Sequence, residues 1–300
     1  MSGTWDGLLL IDKSSGPTSH DIVQRVRRLT GERRVGHTGT LDPLATGLLP
    51  VMLGRATRLA RFLPQSPKHY EGQLQLGLTT ATDDVTGEEL ARCTGPLPAP
   101  PEVVEAATRL QGQYPQVPPA VSARKVGGKR MYRLARQGIQ VEAPPRQVDV
   151  SRFEVAPTDD DPAVYDFRAE VSSGTYVRAL IRDLGEALGC GGVMVTLRRT
   201  AIAGLRPSPL LRFGSDHFPD CNDLVSQLIP LGSMPLEPPR LLLSGPDAVQ
   251  RFVTGVAQPA TAALEDGFCA VLDSEEHLLG VGELTAGVIR PKVVLADRSG

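Results

Sequence analysis

The residues best equipped for chemistry are gathered in one short stretch, Gly36 to Gly47, which holds a carboxylate, Asp42, a histidine, His37, and three glycines among small polar residues. A carboxylate can act as nucleophile or general base, and a histidine titrates near neutral pH. Glycine lets a backbone come close to a ligand. The stretch has no hydrophobic period, so it reads as a loop carried by a scaffold. An Asp directly before Pro43 equally suits an ordinary turn, so residue type and place alone leave a structural and a chemical role for Asp42 both open.

The surrounding elements must hold that loop. Gly7 to Asp12 reads as a short buried strand. Pro17-Thr18-Ser19 then supplies a turn and the N-cap of a helix to about Leu29, with Ile22, Val23, Val26 and Leu29 on one face and Gly31 placed to stop it. The apolar run Leu48 to Leu53 reads as the strand on the far side of the loop. Lys68 to Leu78 alternates, with Tyr70, Gly72, Leu74, Leu76 and Leu78 on one face. Thr175 to Leu188 is an amphipathic helix whose inward residues are Val177, Leu180, Ile181, Leu184 and Leu188, leaving Tyr176 and Arg178 in its first turn and off that stripe. A strand follows at Gly192 to Thr200. Between these, a Pro-rich stretch at 96–101, a helix through Leu110 and a basic segment at 124–136 read as an excursion from the sheet, which resumes near Val148 to Val155 and Tyr165 to Val171. Pro-rich linkers at 206–220 and 235–239 precede a small β-rich unit with strands at Arg240 to Leu243, Phe268 to Asp273, His277 to Leu284 and Lys292 to Ala296. The expected division is therefore 1–235, with an insert at about 95–147, and 236–300.

The length of 300 residues fits one large domain and a smaller appendage. At 41% hydrophobic and 22% charged residues, with no apolar run near the roughly 20 residues of a membrane helix, an ordinary globular protein of the cytoplasm is expected and membrane partners are not. Cys93, Cys190, Cys221 and Cys269 lack paired spacing or a completing histidine, so no metal is expected and the thiols read as reduced. The net charge of −2 conceals an uneven distribution. From Leu231 onward nine acidic residues face five basic ones, which leaves the first 230 residues at +2. Two basic clusters stand there: Arg25, Arg27, Arg28, Arg33 and Arg34, then Arg124, Lys125, Lys129, Arg130, Arg133 and Arg136. Such patches serve phosphates or merely solvate a helix face.

The whole string Gly36-His37-Thr38-Gly39-Thr40-Leu41-Asp42-Pro43-Leu44-Ala45-Thr46-Gly47 resembles the active-site motif of the TruB family of tRNA pseudouridine synthases. The resemblance takes in Gly7-Leu8-Leu9, Asp12-Lys13, Gly16-Pro17-Thr18-Ser19 and Leu53-Gly54-Arg55-Ala56-Thr57. It continues through Tyr70, Thr82-Asp83, Ser122-Ala123-Arg124-Lys125 with Gly128, Arg130 and Tyr132, then Ser173 to Arg178 and Leu197 to Thr200, and so covers nearly the first 205 residues. Ser14 departs from the family's usual Pro, and Arg58 from a common Lys.

The resemblance implies an α+β fold with a mixed, largely antiparallel sheet, an inserted thumb segment and a small C-terminal β-barrel similar to a PUA domain. It implies isomerisation of uridine 55 in the T arm of tRNA without guide RNA, by a protein expected to be a monomer. Substrate and product are isomers, so no cofactor is expected. Asp42 would be the catalytic carboxylate, as nucleophile or base, with the guanidinium of Arg178 favouring its anion. Tyr70 would stack on the base, Tyr176 would serve as acid, base or orienting group, and Leu197 would form an apolar wall. The target must be flipped out of its stack, with His37 placed to fill the gap. Lys13, Thr40, Asp83, Lys125 and Arg130 would contact substrate or RNA. Two competing readings are an RNA-binding or folding module and a guide-dependent enzyme acting on ribosomal RNA. A glycoside hydrolase, which needs paired carboxylates, fits poorly.

Overall fold

The computed structural model describes residues 5–119, 125–126, 129–130, 144–214, 218–260 and 264–295. In chain order the elements are β1 (Gly7–Lys13), α1 (Ser19–Thr30), β2 (Val35–His37), β3 (Thr46–Leu53), a 3-10 segment (Gly54–Phe62), β4 (Lys68–Leu76), β5 (Leu78–Thr80) and β6 (Glu89–Arg92). Then come α2 (Pro100–Arg109), β7 (Gly112–Gln116), β8 (Lys125–Val126), β9 (Lys129–Arg130), β10 (Arg146–Pro157), β11 (Val164–Val171), α3 (Val177–Ala187) and β12 (Gly192–Ile202). The last are β13 (Arg212–Phe213), α4 (Cys221–Ser226), β14 (Ile229–Pro230), β15 (Arg240–Leu242), α5 (Pro246–Val253), β16 (Gln258–Pro259), β17 (Gly267–Leu272), β18 (Leu278–Thr285) and β19 (Val288–Val294). The mixture is the expected α+β class. Among the described residues no helix is long and apolar enough to cross a membrane.

The chain forms two compact units: 1–43, 49–64 and 207–300 in the first, 44–48 and 65–206 in the second. In the first unit β1 runs parallel to β13 and antiparallel to β14, and β2 pairs antiparallel with β3. Helix α1 starts where the sequence says it should. The Thr18 hydroxyl accepts from the Asp21 amide at 3.1 Å and the Asp21 carboxylate accepts from the Thr18 amide at 2.9 Å, a full capping box, while Gly31 ends the helix at φ 70. The C-terminal strands make an open five-stranded sheet in the order β15-β17-β18-β19-β16. One side of it buries Phe252 of α5 with Leu241, Val271 and Ile289. Val281 and Val293 share a core with Leu8, Met52, Ala56, Leu59 and Phe62, so residues on both sides of the Pro235–Pro239 linker belong to one hydrophobic cluster.

In the second unit the strands run β12-β4-β11-β10-β7, each neighbour antiparallel, with Thr46 and Gly47 at the start of β3 pairing parallel to β12. Mixed and largely antiparallel is thus what forms. Helix α3 packs on β12 and α2 on β10. The segment 95–147 is only partly an excursion: β7 joins the sheet as an edge, registered against β10 from Gly112↔Val150 to Gln116↔Arg146. Three exposed residues, Gly112, Gln113 and Pro115, give it the composition of an edge strand, which carries little hydrophobic signal. Strands β8 and β9 pair with each other. The rest of the basic segment 124–136 lies outside the described residues.

Candidate active site

In the first unit the loop that ends β2 is fastened on both sides of Asp42. The Ser19 hydroxyl, at the start of α1, donates to the Leu41 carbonyl at 3.0 Å and accepts from the Leu41 amide at 2.9 Å. On the other side the Pro43 carbonyl accepts from the Gly16 amide at 2.9 Å and from the Lys13 ammonium at 3.2 Å. Asp42 itself is half-buried. Two residues already held by β1 and α1 thus flank it, leaving its backbone little freedom of place. Preorganisation of this kind is what a reacting group needs.

Lys13, expected as a phosphate or base contact, is wholly buried. Its ammonium also donates to the carbonyls of Ser14 and Pro17, at 3.0 and 2.9 Å, so it ties the chain ends of the loop together. His37 lies in β2 opposite Val51, half-buried, and Thr40 is exposed at the loop. Of the first basic cluster, Arg27 donates to the Val35 carbonyl at 2.9 Å and Arg25 stacks on Phe218 at 4.3 Å.

The second unit carries the remaining residues. Tyr70 of β4 is buried and registered between Ala169 of β11 and Arg199 of β12. Leu197, also buried, stands opposite Gly72, so Tyr70, Leu197 and Arg199 share one face of the sheet. Arg199 is fixed there by donating to the Leu48 carbonyl at 2.8 Å. Gly47 makes the close approach possible: a Cβ at its φ of 95 would lie 2.2 Å from the Arg199 carbonyl oxygen.

Tyr176 is the N-cap of α3, and its backbone is gripped by Gln116 of β7. The Gln116 carboxamide accepts from the Tyr176 amide at 2.8 Å and donates to its carbonyl at 3.2 Å and to the Tyr114 hydroxyl at 2.9 Å. Gln116 is 1% exposed and was not among the expected site residues, since a neutral amide in a weak edge strand carries no motif. Arg178 is off the apolar stripe yet buried, because a second set of polar groups receives it. It donates to the Thr82 carbonyl at 2.6 Å and lies 3.7 Å from the buried Asp84. Asp83, in a left-handed conformation at φ 60, pairs with Arg182 at 3.2 Å. Burial nonetheless pushes its carboxyl above the usual range, outweighing Arg182 and Arg178. Asp83 therefore holds a loop against α3. Lys125 and Arg130 stand opposite one another on β8 and β9, and their side chains lie outside the description. Among the described residues no cluster of His, Cys, Asp or Glu could hold a metal.

The fold has solved counterparts. A structure of a Cbf5-Nop10-Gar1 complex matches 98% of this chain and 86% of its own with a TM-score of 0.70 at 23% identity, and an archaeal Nop10-Cbf5 complex matches 98% and 88% with a TM-score of 0.69 at 22%. These show the class of fold, that of the Cbf5 chain of those complexes. Residues 27–177 match the TruB family pseudouridylate synthase N-terminal domain, and 178–218 the tRNA pseudouridylate synthase B C-terminal domain. A tRNA pseudouridine synthase B of Acaryochloris marina is 40% identical over 96% of this chain and 98% of its own, and one of Mycobacterium bovis 43% over 81% and 79%. The chain belongs to the TruB family of pseudouridylate synthases, a family of isomerases.

Proposed function

We propose that this protein converts uridine to pseudouridine in tRNA, at position 55 of the T arm, acting in the cytoplasm as a monomer and without a guide RNA. The observation that carries this is the fastening of Leu41 by Ser19 and of Pro43 by Lys13, which sets the carboxylate of Asp42 at a fixed place in the motif loop. Likeness to the tRNA pseudouridine synthase B of Acaryochloris marina across 96% of the chain supports tRNA as the substrate.

The reaction breaks the glycosidic bond, turns the base and rejoins it through C5, so no atom or electron is supplied from outside. Asp42 acts as the carboxylate of that step, as nucleophile or as base. Arg178 favours its anion, Tyr70 stacks on the flipped base, and Leu197 closes the apolar side. Tyr176 handles a proton or orients the base, which is a reason for its backbone to be gripped by Gln116. His37 fills the stack that the uridine leaves. Thr40, Asp83, Lys125 and Arg130 belong to the RNA-binding surface, and Lys13 serves by holding the loop. Residues 236–300 form the accessory RNA-contacting part. The test is to incubate purified protein with an unmodified tRNA transcript, with no other RNA, and to map pseudouridine. Product at position 55 is expected; product elsewhere, or only with added guide RNA, contradicts the proposal.

A further inference from the structure

Lys68 opens β4 two residues before Tyr70, on the same face of the sheet as Tyr70 and Leu197. It is only 9% exposed, and among the described residues its ammonium makes no hydrogen bond and no ion pair. The charged groups that act on it are Arg199 of β12 and Arg146 of β10, both cations. Glu170, on the neighbouring β11, is taken up by His69 at 3.6 Å, one residue along and on the opposite face. A cation drawn largely out of water and set near other cations lacks the anion that would normally accompany it. Burial, with help from the two arginines, holds the Lys68 ammonium at a pKa of about 8, below its usual 10.5.

The surroundings have the form of a subsite. Arg146 is exposed, donates to the Ser173 carbonyl at 3.4 Å, and lies against Gly174, where a Cβ would stand 2.4 Å from the guanidinium carbon. This arginine therefore rests on the loop that leads directly into Tyr176. Arg199 stands buried at the back, its direction fixed by the Leu48 carbonyl. Cationic groups thus run from the exposed Arg146 guanidinium to the buried Lys68 ammonium on the face that carries Tyr70.

We infer that Lys68, with Arg146 at its mouth and Arg199 behind it, forms an anion subsite that takes an RNA backbone phosphate adjoining the flipped uridine. This rests on the reading of the protein as an RNA uridine isomerase. A lysine supplies a compact point charge, suited to a phosphate whose orientation other contacts determine. A bound phosphate supplies a counter-charge, so RNA binding offsets the electrostatic cost of burying the lysine beside two arginines.

The test uses the full chain labelled with 13C at the lysine ε-carbon, with the Lys68 resonance assigned through Lys68→Arg. The pH titration is run alone, with sodium chloride, with inorganic phosphate at matched ionic strength, and with unmodified tRNA. Phosphate and tRNA, but not chloride, raise the Lys68 pKa by about one unit or more. In parallel, Lys68→Met binds tRNA about tenfold more weakly, with a salt-dependence slope smaller by about one, and Lys68→Arg keeps most of the affinity. A Lys68 pKa unmoved by tRNA overturns the inference, whether or not inorganic phosphate moves it. A Lys68→Met protein that binds tRNA with the affinity and salt slope of the wild type overturns it as well. Pseudouridine formation by the same wild-type sample separates the two readings. A modified tRNA with an unmoved lysine leaves the proposed function standing and removes the subsite. A raised pKa on an unmodified tRNA upholds the subsite and removes the function.

Discussion

Asp42 owes its place to side chains that are themselves unremarkable. The Ser19 hydroxyl satisfies both backbone groups of Leu41, and the Lys13 ammonium collects three carbonyls, from Ser14, Pro17 and Pro43. Ser19→Ala leaves a buried amide and a buried carbonyl without a partner, at a cost of about 2 kcal/mol, and frees the residue before Asp42. The expected outcome is a lowered melting temperature and a lowered kcat with KM for tRNA nearly unchanged, measured by thermal unfolding and steady-state kinetics. A fall in KM-dependent binding alone would contradict a positioning role. Such roles are hard to read ahead of the fold. Ser19 reads as part of a helix cap, but Thr18 takes the cap and Ser19 is released for Leu41, 22 residues away. For Lys13 the sequence offers only a contact to substrate or RNA, because nothing in its neighbourhood says that Pro43, 30 residues on, will come within 3.2 Å. The string around Asp42 was legible because its residue types recur together in a family; its fastenings were not.

The elements divide in the same way, by whether their determinants are local. Helix α1 carries its own start and stop in Thr18, Asp21 and Gly31, and β4 displays its buried face in strict alternation, so both stand in the sequence. The 3-10 segment Gly54–Phe62 does not, because its arginines are used in ways remote from it. Arg55 pairs with Asp6 at 2.7 Å and donates to the Leu295 carbonyl at 2.8 Å, and Arg61 stacks on Phe62 and Phe268. Strand β7 escapes notice because an edge strand with a proline has no hydrophobic period, yet it brings Gln116 to Tyr176. The junction of β3 and β12 is the most exacting of these contacts. Gly47→Ala sets a Cβ against the Arg199 carbonyl at a backbone angle that alanine resists, and should destabilise the protein by about 2 to 4 kcal/mol. Denaturant unfolding measures this; a loss below about 0.5 kcal/mol would mean that the two strands separate easily, contrary to their register.

At the scale of the whole molecule, charge and stability are in opposition at Lys68. Its folded-state pKa of about 8 lies below the unfolded value near 10.5, so between those values the unfolded chain holds a proton that the folded one has released. Stability therefore rises with pH from about 8 to 10.5, and below about 8 the full cost, up to about 3 kcal/mol, is present. Lys68→Met removes it: the free protein becomes more stable at pH 7 and the rise above pH 8 disappears, as equilibrium unfolding at a series of pH values would record. A variant that is less stable at pH 7 would contradict this account. The acidic balance of the C-terminal region and the basic clusters before it show why the overall charge of −2 says little about the partner. The division into two compact units was not legible either, because the cluster that joins Leu8 and Met52 to Val281 and Val293 spans most of the chain. The proposed function rests on one carboxylate, that of Asp42. The most direct measurement is single-turnover pseudouridine formation in an unmodified tRNA by wild type and Asp42→Asn, with tRNA affinity and melting temperature measured on the same samples. Asp42→Asn is expected to fold and bind tRNA as the wild type does and to lose about a thousandfold or more in rate; a folded Asp42→Asn protein that forms pseudouridine at the wild-type rate would contradict a catalytic role for this carboxylate.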